Sequence, residues 1–190
     1  RRVLFRSLLN LDLSNNALAG QIPPELGDLK NLKELLLYKN KLDGEIPDEL
    51  GGLFALEELN LRDNQFTGSL PDTIATLGNL RILMLYSNDL VDLPDLSGLY
   101  NLEQMHIYDN YFTFEDLEPN DSIVSDFKYS PQKTEAIPPV RLELGEDTVL
   151  VVEVGGSHNQ YLWRKSQENI GFREMYEIND ASFADLGIYT

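Results

Sequence analysis

Five asparagines, Asn16, Asn40, Asn64, Asn88 and Asn110, recur at intervals of 24, 24, 24 and 22 residues, and each closes the same phrase. The phrase reads Leu11-x-Leu13-x-x-Asn16-x-Leu18, then Leu35-x-Leu37-x-x-Asn40-x-Leu42, then Leu59-x-Leu61-x-x-Asn64-x-Phe66. It continues as Leu83-x-Leu85-x-x-Asn88-x-Leu90 and Met105-x-Ile107-x-x-Asn110-x-Phe112. A unit of this length cannot bury its apolar side alone, so successive units must stack and share a continuous core. The alternation in Leu-x-Leu is that of a short strand whose leucines face inward. Stacked in phase, these strands predict a parallel sheet on the concave side of a right-handed coil.

The first three units continue with Leu18-x-Gly20-x-Ile22-Pro23, Leu42-x-Gly44-x-Ile46-Pro47 and Phe66-x-Gly68-x-Leu70-Pro71. Glycine permits a tight, left-handed turn, and proline, with no N–H for a ladder, suits an edge or turn. Each convex side is therefore expected to be a short extended segment rather than a full helix. This phrase resembles the plant-type leucine-rich repeat, which is also common in bacterial extracellular proteins, and it covers residues 8 to about 78. The resemblance implies an α/β leucine-rich-repeat solenoid of five repeats over residues 8–118, mostly short parallel strands with turns and 3-10 segments. Repeat four, Leu90 to Leu99, lacks the glycine and is two residues shorter, so its convex side should narrow.

The inward columns are Leu11, Leu35, Leu59, Leu83 and Met105, and Leu13, Leu37, Leu61, Leu85 and Ile107. At about 1.5–3 kcal/mol of gross burial per large aliphatic side chain, they account for the leucines without any function. The asparagines read as structural too. Each buried amide is expected to bond backbone groups that would cost about 1–3 kcal/mol apiece if left unpaired.

After Phe112-Thr113-Phe114 the periodicity stops, and these aromatics are expected to help cap the core. Residues 119–137, with Pro119, Pro131, Ser122, Ser125 and Ser130, read as a linker anchored by Phe127 and Tyr129. From 138 the pattern becomes that of strands rich in β-branched residues, Val140-x-Leu142-x-Leu144 and Thr148 to Val154, then Gln160 to Arg164 and a run around Arg173 to Ile178. The closing Asp185-Leu186-Gly187-Ile188-Tyr189 resembles the tyrosine corner of immunoglobulin-like domains, with Trp163 at the strand C tryptophan and Val152 at the first cysteine position. The resemblance implies an all-β immunoglobulin-like sandwich over 138–190, disulfide-free and lacking its last strands, and hence a native chain that continues.

Charge and composition exclude much else. With 32 acidic residues against 15 basic ones the net charge is −17, which argues against nucleic acid or an anionic membrane as partner. The chain has no cysteine, so disulfides and thiol chemistry are absent. Residues 1–7, Arg-Arg-Val-Leu-Phe-Arg-Ser, resemble the translated end of a sequencing adapter and are read as a non-native scar, the alternative being a basic start to a capping turn. Without its three arginines the native charge would be −20. His106 and His158 lack partners at metal spacing, no nucleophile triad or phosphate loop is present, and paired acids such as Glu57-Glu58 read as solvated surface. No catalysis, cofactor or metal is expected.

Residues that the core does not use face outward from the strands. Four positions before each asparagine stand Asp12, Leu36, Asn60, Met84 and His106; two before stand Ser14, Tyr38, Arg62, Tyr86 and Tyr108; one before stand Asn15, Lys39, Asp63, Ser87 and Asp109. With strands about 4.8 Å apart, Tyr38, Arg62, Tyr86 and Tyr108 should form one stripe flanked by Leu36, Met84 and His106. Tyr, Met and Arg are enriched at interface centres, although tyrosines also simply suit strands. The expectation is a non-catalytic protein- or peptide-binding or adhesion segment of a larger modular protein, acting through these seven residues. Glycan binding, with Asn60, Asp63 and Asp109 beside the rings, is the alternative, and a regulatory or ectodomain part of an enzyme or receptor is a third. The resemblance to secreted and surface proteins of bacteria implies an extracellular or cell-surface location with no direct membrane contact. Asp72-Thr73-Ile74 and Asp121-Ser122-Ile123 match a short bacterial O-glycosylation signal, which agrees with export.

Overall fold

The computed structural model describes residues 7–133 and four further strand segments, and the chain divides into two units, Arg1–Thr134 and Glu135–Thr190. The first unit coils. Its chain order is β1 (Asn10–Asp12), β2 (Ala19–Gly20), β3 (Glu34–Leu36), β4 (Lys41–Gly44), β5 (Glu58–Asn60), β6 (Gln65–Ser69), β7 (Ile82–Met84), β8 (Asp89–Asp92), β9 (Gln104–His106), α1 (Phe114–Leu117) and β10 (Asp126–Lys128). Strands β1, β3, β5, β7, β9 and β10 form one parallel sheet in that order, and β2, β4, β6 and β8 form a second. The phase of the sequence sets the register, since Leu35 pairs with Leu11 and Leu59, and Leu83 with Leu59 and Met105.

Each of the first three repeats leaves its strand through a left-handed residue, crosses to the second sheet and returns through a 3-10 turn. Gly44 and Gly68 hold φ of +73° and +74°, a region where a Cβ would strain the backbone. The prolines follow as the residues that open the 3-10 turns Pro24–Asp28, Asp48–Gly52 and Asp72–Thr76, with Pro23, Pro47 and Pro71 at φ near their ring-locked value. Repeat four, which lacks the glycine, has no such 3-10 turn among the described residues and shows a register shift where Ser69 meets Asp92.

Between the two sheets lies one continuous aliphatic core. Leu35, Leu59, Leu83 and Met105 are fully buried, as are Leu61, Leu85 and Ile107, together with Leu50, Leu53, Leu56, Leu77 and Leu80 from the returning turns. The first repeat departs from the expectation of buried columns. Leu13 is 39% exposed and Leu11 only half buried, because no described repeat stacks on that side of β1.

The asparagines knit the coil by a shared scheme. The Asn88 amide donates to the carbonyls of Leu85 in its own turn and Leu61 in the preceding repeat, while its Oδ1 accepts from Phe66 N–H. Asn40, Asn64 and Asn110 make the same three kinds of bond. The expectation that all five are buried holds for Asn88 and Asn110, whereas Asn40 and Asn64 are half buried and Asn16 departs furthest. It is exposed and, among the described residues, bonds only Leu13 and Ser14 of its own turn, with no earlier described rung to reach.

The sheet continues into the stretch read as a linker. Strand β10 pairs in parallel with β9, Phe127 opposite Met105, so residues up to 133 pack on the coil as a sixth, degenerate turn. Gln132 takes the asparagine's place. Its amide donates to Ile107 O at 3.2 Å and to Tyr129 O, and its Oε1 accepts from Asn110 N–H at 3.1 Å. Ahead of β10, Thr113 just before α1 donates twice to the Asp116 carboxylate, from its N–H at 2.7 Å and from its hydroxyl at 2.8 Å. Asn120, fully buried, accepts from Leu96 N–H and donates to Pro94 O, filling the gap left by the short fourth repeat.

The second unit contains β11 (Thr148–Val151), β12 (Trp163–Lys165), β13 (Glu168–Gly171) and β14 (Met175–Ile178). β11 pairs antiparallel with β14, and β12 antiparallel with β13. The expected tyrosine corner at Asp185 to Tyr189, the strand at Val140 to Leu144, Val152, His158 and most of the 1–7 segment lie outside the described residues.

Candidate functional site

The outward columns of the large sheet come together as one face. In register along it stand Asp12, Leu36, Asn60, Met84, His106 and Lys128. Two residues further on, Tyr38, Arg62, Tyr86 and Tyr108 form the second line. Backbone ladder bonds hold them at neighbouring rungs, for example Lys39 N–H to Arg62 O at 3.0 Å and Asp63 N–H to Tyr86 O at 3.0 Å.

The second line is a stack of planar groups. The Arg62 guanidinium carbon lies 4.5 Å from the Tyr38 ring centroid and 5.3 Å from that of Tyr86, and its Nη1 donates to the Tyr86 hydroxyl. Tyr86 in turn stacks on Tyr108, with ring centroids 4.4 Å apart and planes at 11°. Such contacts contribute about 0.5–1.5 kcal/mol each beyond area burial, which preorganises the stripe before anything binds. All four side chains are half buried and keep an outer edge in solvent.

The electrostatics follow from the packing. Burial opposes the charge of Arg62, but the Tyr86 hydroxyl, with Asp63 and Tyr38 nearby, holds the guanidinium above its usual value. Burial pushes the Tyr108 phenol up, and neighbouring Tyr86 adds to the effect. His106 lies 6.5 Å from the Tyr86 ring and places Nε2 3.2 Å from Asp126 Oδ1, with Lys128 Nζ 3.7 Å from the same oxygen. The His106 imidazole beside it is the main reason the Asp126 carboxyl sits below the ordinary range, through a close approach whose angle falls short of a formed hydrogen bond.

Some residues expected at the face are placed otherwise. Asn60 is 8% exposed, so it lies under the surface, and its Oδ1, like Arg62 Nε, has no hydrogen-bond partner among the described residues. It is therefore not the free hydroxyl partner that a glycan site would need. Asn15, Lys39, Asp63, Ser87 and Asp109 all have φ between 54° and 57°. They are turn residues that end each strand, not strand residues in the concave row. Asp126 and Lys128 join the face without having been expected, because they come from the sixth turn. No group of acidic and histidine residues suited to a metal occurs among the described residues, and none of their helices is long and apolar enough to cross a membrane.

The Leucine Rich Repeat family model matches residues 7–29, 31–53 and 55–77. Among solved structures, the ectodomain of the Arabidopsis thaliana receptor kinase SOBIR1 is 33% identical, with 63% of this chain and 67% of that chain covered and a TM-score of 0.56. The Arabidopsis receptor kinase HAESA, in complex with the peptide hormone IDA and the co-receptor SERK1, is 34% identical over 55% of this chain, with a TM-score of 0.54. Only 18% of that receptor chain is spanned. A leucine-rich-repeat protein of Leptospira interrogans is 34% identical, covering 70% of this chain and 34% of that one, at a TM-score of 0.58. Comparison with curated proteins gives no match.

Proposed function

The chain belongs to the leucine-rich-repeat family, and on that premise we propose that it is a non-catalytic segment of a larger modular extracellular protein that binds a protein or peptide on its concave face. The observation that carries this reading is the preassembled stack of Tyr38, Arg62, Tyr86 and Tyr108, flanked by Leu36, Met84 and His106. None of the four stacked groups belongs to the buried core, and stacked aromatics with arginine are the side chains on which interfaces concentrate their energy. Related chains supply support of the same kind, since HAESA is solved with a peptide hormone and a co-receptor. In the second unit, an immunoglobulin-like spacer is favoured by the antiparallel pairings β11 with β14 and β12 with β13, which match strands B with E and C with its hairpin partner in such sandwiches.

The test is selection of a displayed random-peptide library on the purified chain, followed by calorimetry of the selected peptides. Tyr38→Ala/Tyr86→Ala should weaken them by about a hundredfold, two truncated hot-spot aromatics at roughly 1.4 kcal/mol each. Peptides that bind the double variant unchanged would remove the concave stripe as the site.

A further inference from the structure

Away from the concave face, each of four repeats places one residue at the same outer turn, four positions ahead of the first residue of the next concave strand: Lys30, Phe54, Gly78 and Tyr100. Two of the four are large exposed aromatics, Phe54 at 60% and Tyr100 at 91% exposure. Neither serves the core, which is filled at these turns by Leu53, Leu56, Leu77, Leu80, Leu99 and Leu102.

Their separation is fixed by the coil. Asn79 donates to Phe54 O at 2.8 Å and Asn101 to Gly78 O at 2.7 Å, which ties the three turns rung to rung. At two strand spacings the aromatic side chains leave the backbone about 10 Å apart. Between them Gly78 leaves open ground, since a Cβ there would meet nothing within 4 Å. Lys30 Nζ stands 5.6 Å from the Phe54 ring centroid and is held by the carbonyls of Gly27 and Gly52. It comes from the preceding repeat, so it covers the ring on the side away from Gly78.

We propose that Phe54, Gly78 and Tyr100 form a platform for a neutral β-1,4-linked glycan chain lying along the coil axis. A pyranose with equatorial substituents turns a sheet of C–H bonds outward, which meets the negative face of an aromatic ring. In a β-1,4-linked chain successive sugars turn over, so every second sugar presents the same face at an interval close to that of the two aromatics. A side chain on the middle rung would obstruct the intervening sugar, and Gly78 has none. Asn79 and Asn101 are exposed and have committed amide hydrogens to the backbone, leaving carbonyl oxygens to accept sugar hydroxyls. The net charge of −17 selects against acidic polysaccharides. This platform is independent of the concave stripe.

Isothermal titration of the whole chain with cellohexaose, mannohexaose and chitohexaose tests it, with α-linked maltohexaose as a control whose curved chain does not keep its faces aligned. At least one β-linked hexaose should bind, and maltohexaose should bind at least about tenfold more weakly. Phe54→Ala and Tyr100→Ala should each lower the affinity about tenfold without changing the melting temperature. Tyr38→Ala/Tyr86→Ala should leave it unchanged, which separates this site from the concave one. Absence of binding by all three β-linked hexaoses overturns the proposal. So does binding that survives both Phe54→Ala and Tyr100→Ala, including capture by the concave tyrosines.

Discussion

Replacing Asn88 and Asn16 by alanine, one at a time, separates what the asparagine ladder does from what its repetition suggests. Asn88 is 1% exposed and makes three good bonds, to Leu61 O at 3.1 Å, Leu85 O at 2.8 Å and from Phe66 N–H at 3.2 Å. Truncation does not orphan all three partners. Leu61 O keeps the amide of Asn64 at 3.0 Å, and Leu85 O keeps that of Asn110 at 3.1 Å. Phe66 N–H is left bare in the core, at about 1–3 kcal/mol, and two lost bonds to shared carbonyls add about 0.5–1.5 kcal/mol each. The total is about 2–6 kcal/mol, or a melting temperature lower by about 8–24 °C for a unit of this size. Asn16 bonds only Leu13 O and Ser14 O and lies in water, which replaces both bonds, so Asn16→Ala should cost under about 1 kcal/mol. Urea unfolding followed by far-ultraviolet circular dichroism reads both values. Equal costs, or an Asn88→Ala cost below about 1 kcal/mol, would show that the shared-carbonyl scheme is not what stabilises the coil.

Two further perturbations test the packing and the charge network. A Cβ on Gly27 would stand 2.0 Å from the backbone oxygen of Glu49, so Gly27→Ala should destabilise by about 3 kcal/mol, at the upper end for overpacking, while Gly78→Ala, with open space around it, should stay within about 0.5 kcal/mol; calorimetric melting of the two variants decides. His106→Gln should raise the titration of the Asp126 carboxyl toward its ordinary value near about 4, measured by carbon-13 NMR, because His106 is the main cause of its depression. A carboxyl depressed on folding stabilises the native state above its unfolded pKa, and that contribution is lost as pH falls through the folded value; an Asp126 titration indifferent to His106 would contradict the pairing at 3.2 Å.

What could be read from the sequence follows the physics of a coil. The inward columns and the asparagine rungs were legible because a buried turn with shared carbonyls accepts few side chains, so the same residue returns with every period. The concave stripe was legible by subtraction, since alternate strand residues that the core does not claim must face out. Its ring contacts were not, because Arg62 lying over Tyr38 with its Nη1 on the Tyr86 hydroxyl is a matter of rotamers that spacing does not fix. The row before each asparagine was misplaced in the strand although it carried a signal. Asn15, Asp63 and Asp109 are among the residues that tolerate a left-handed turn, whereas Lys39 and Ser87, which adopt the same φ, carry no such signal. The sixth turn is not legible in the sequence because residue identity fails there while the period holds. Phe127, Tyr129 and Gln132 stand 22 residues after Met105, Ile107 and Asn110, and one extra methylene lets the glutamine reach the carbonyl of Ile107. That substitution belongs where the described coil ends. Among the described residues no repeat follows this rung, and Lys133, bonded to Asn88 O and Asp89, lies along the same edge.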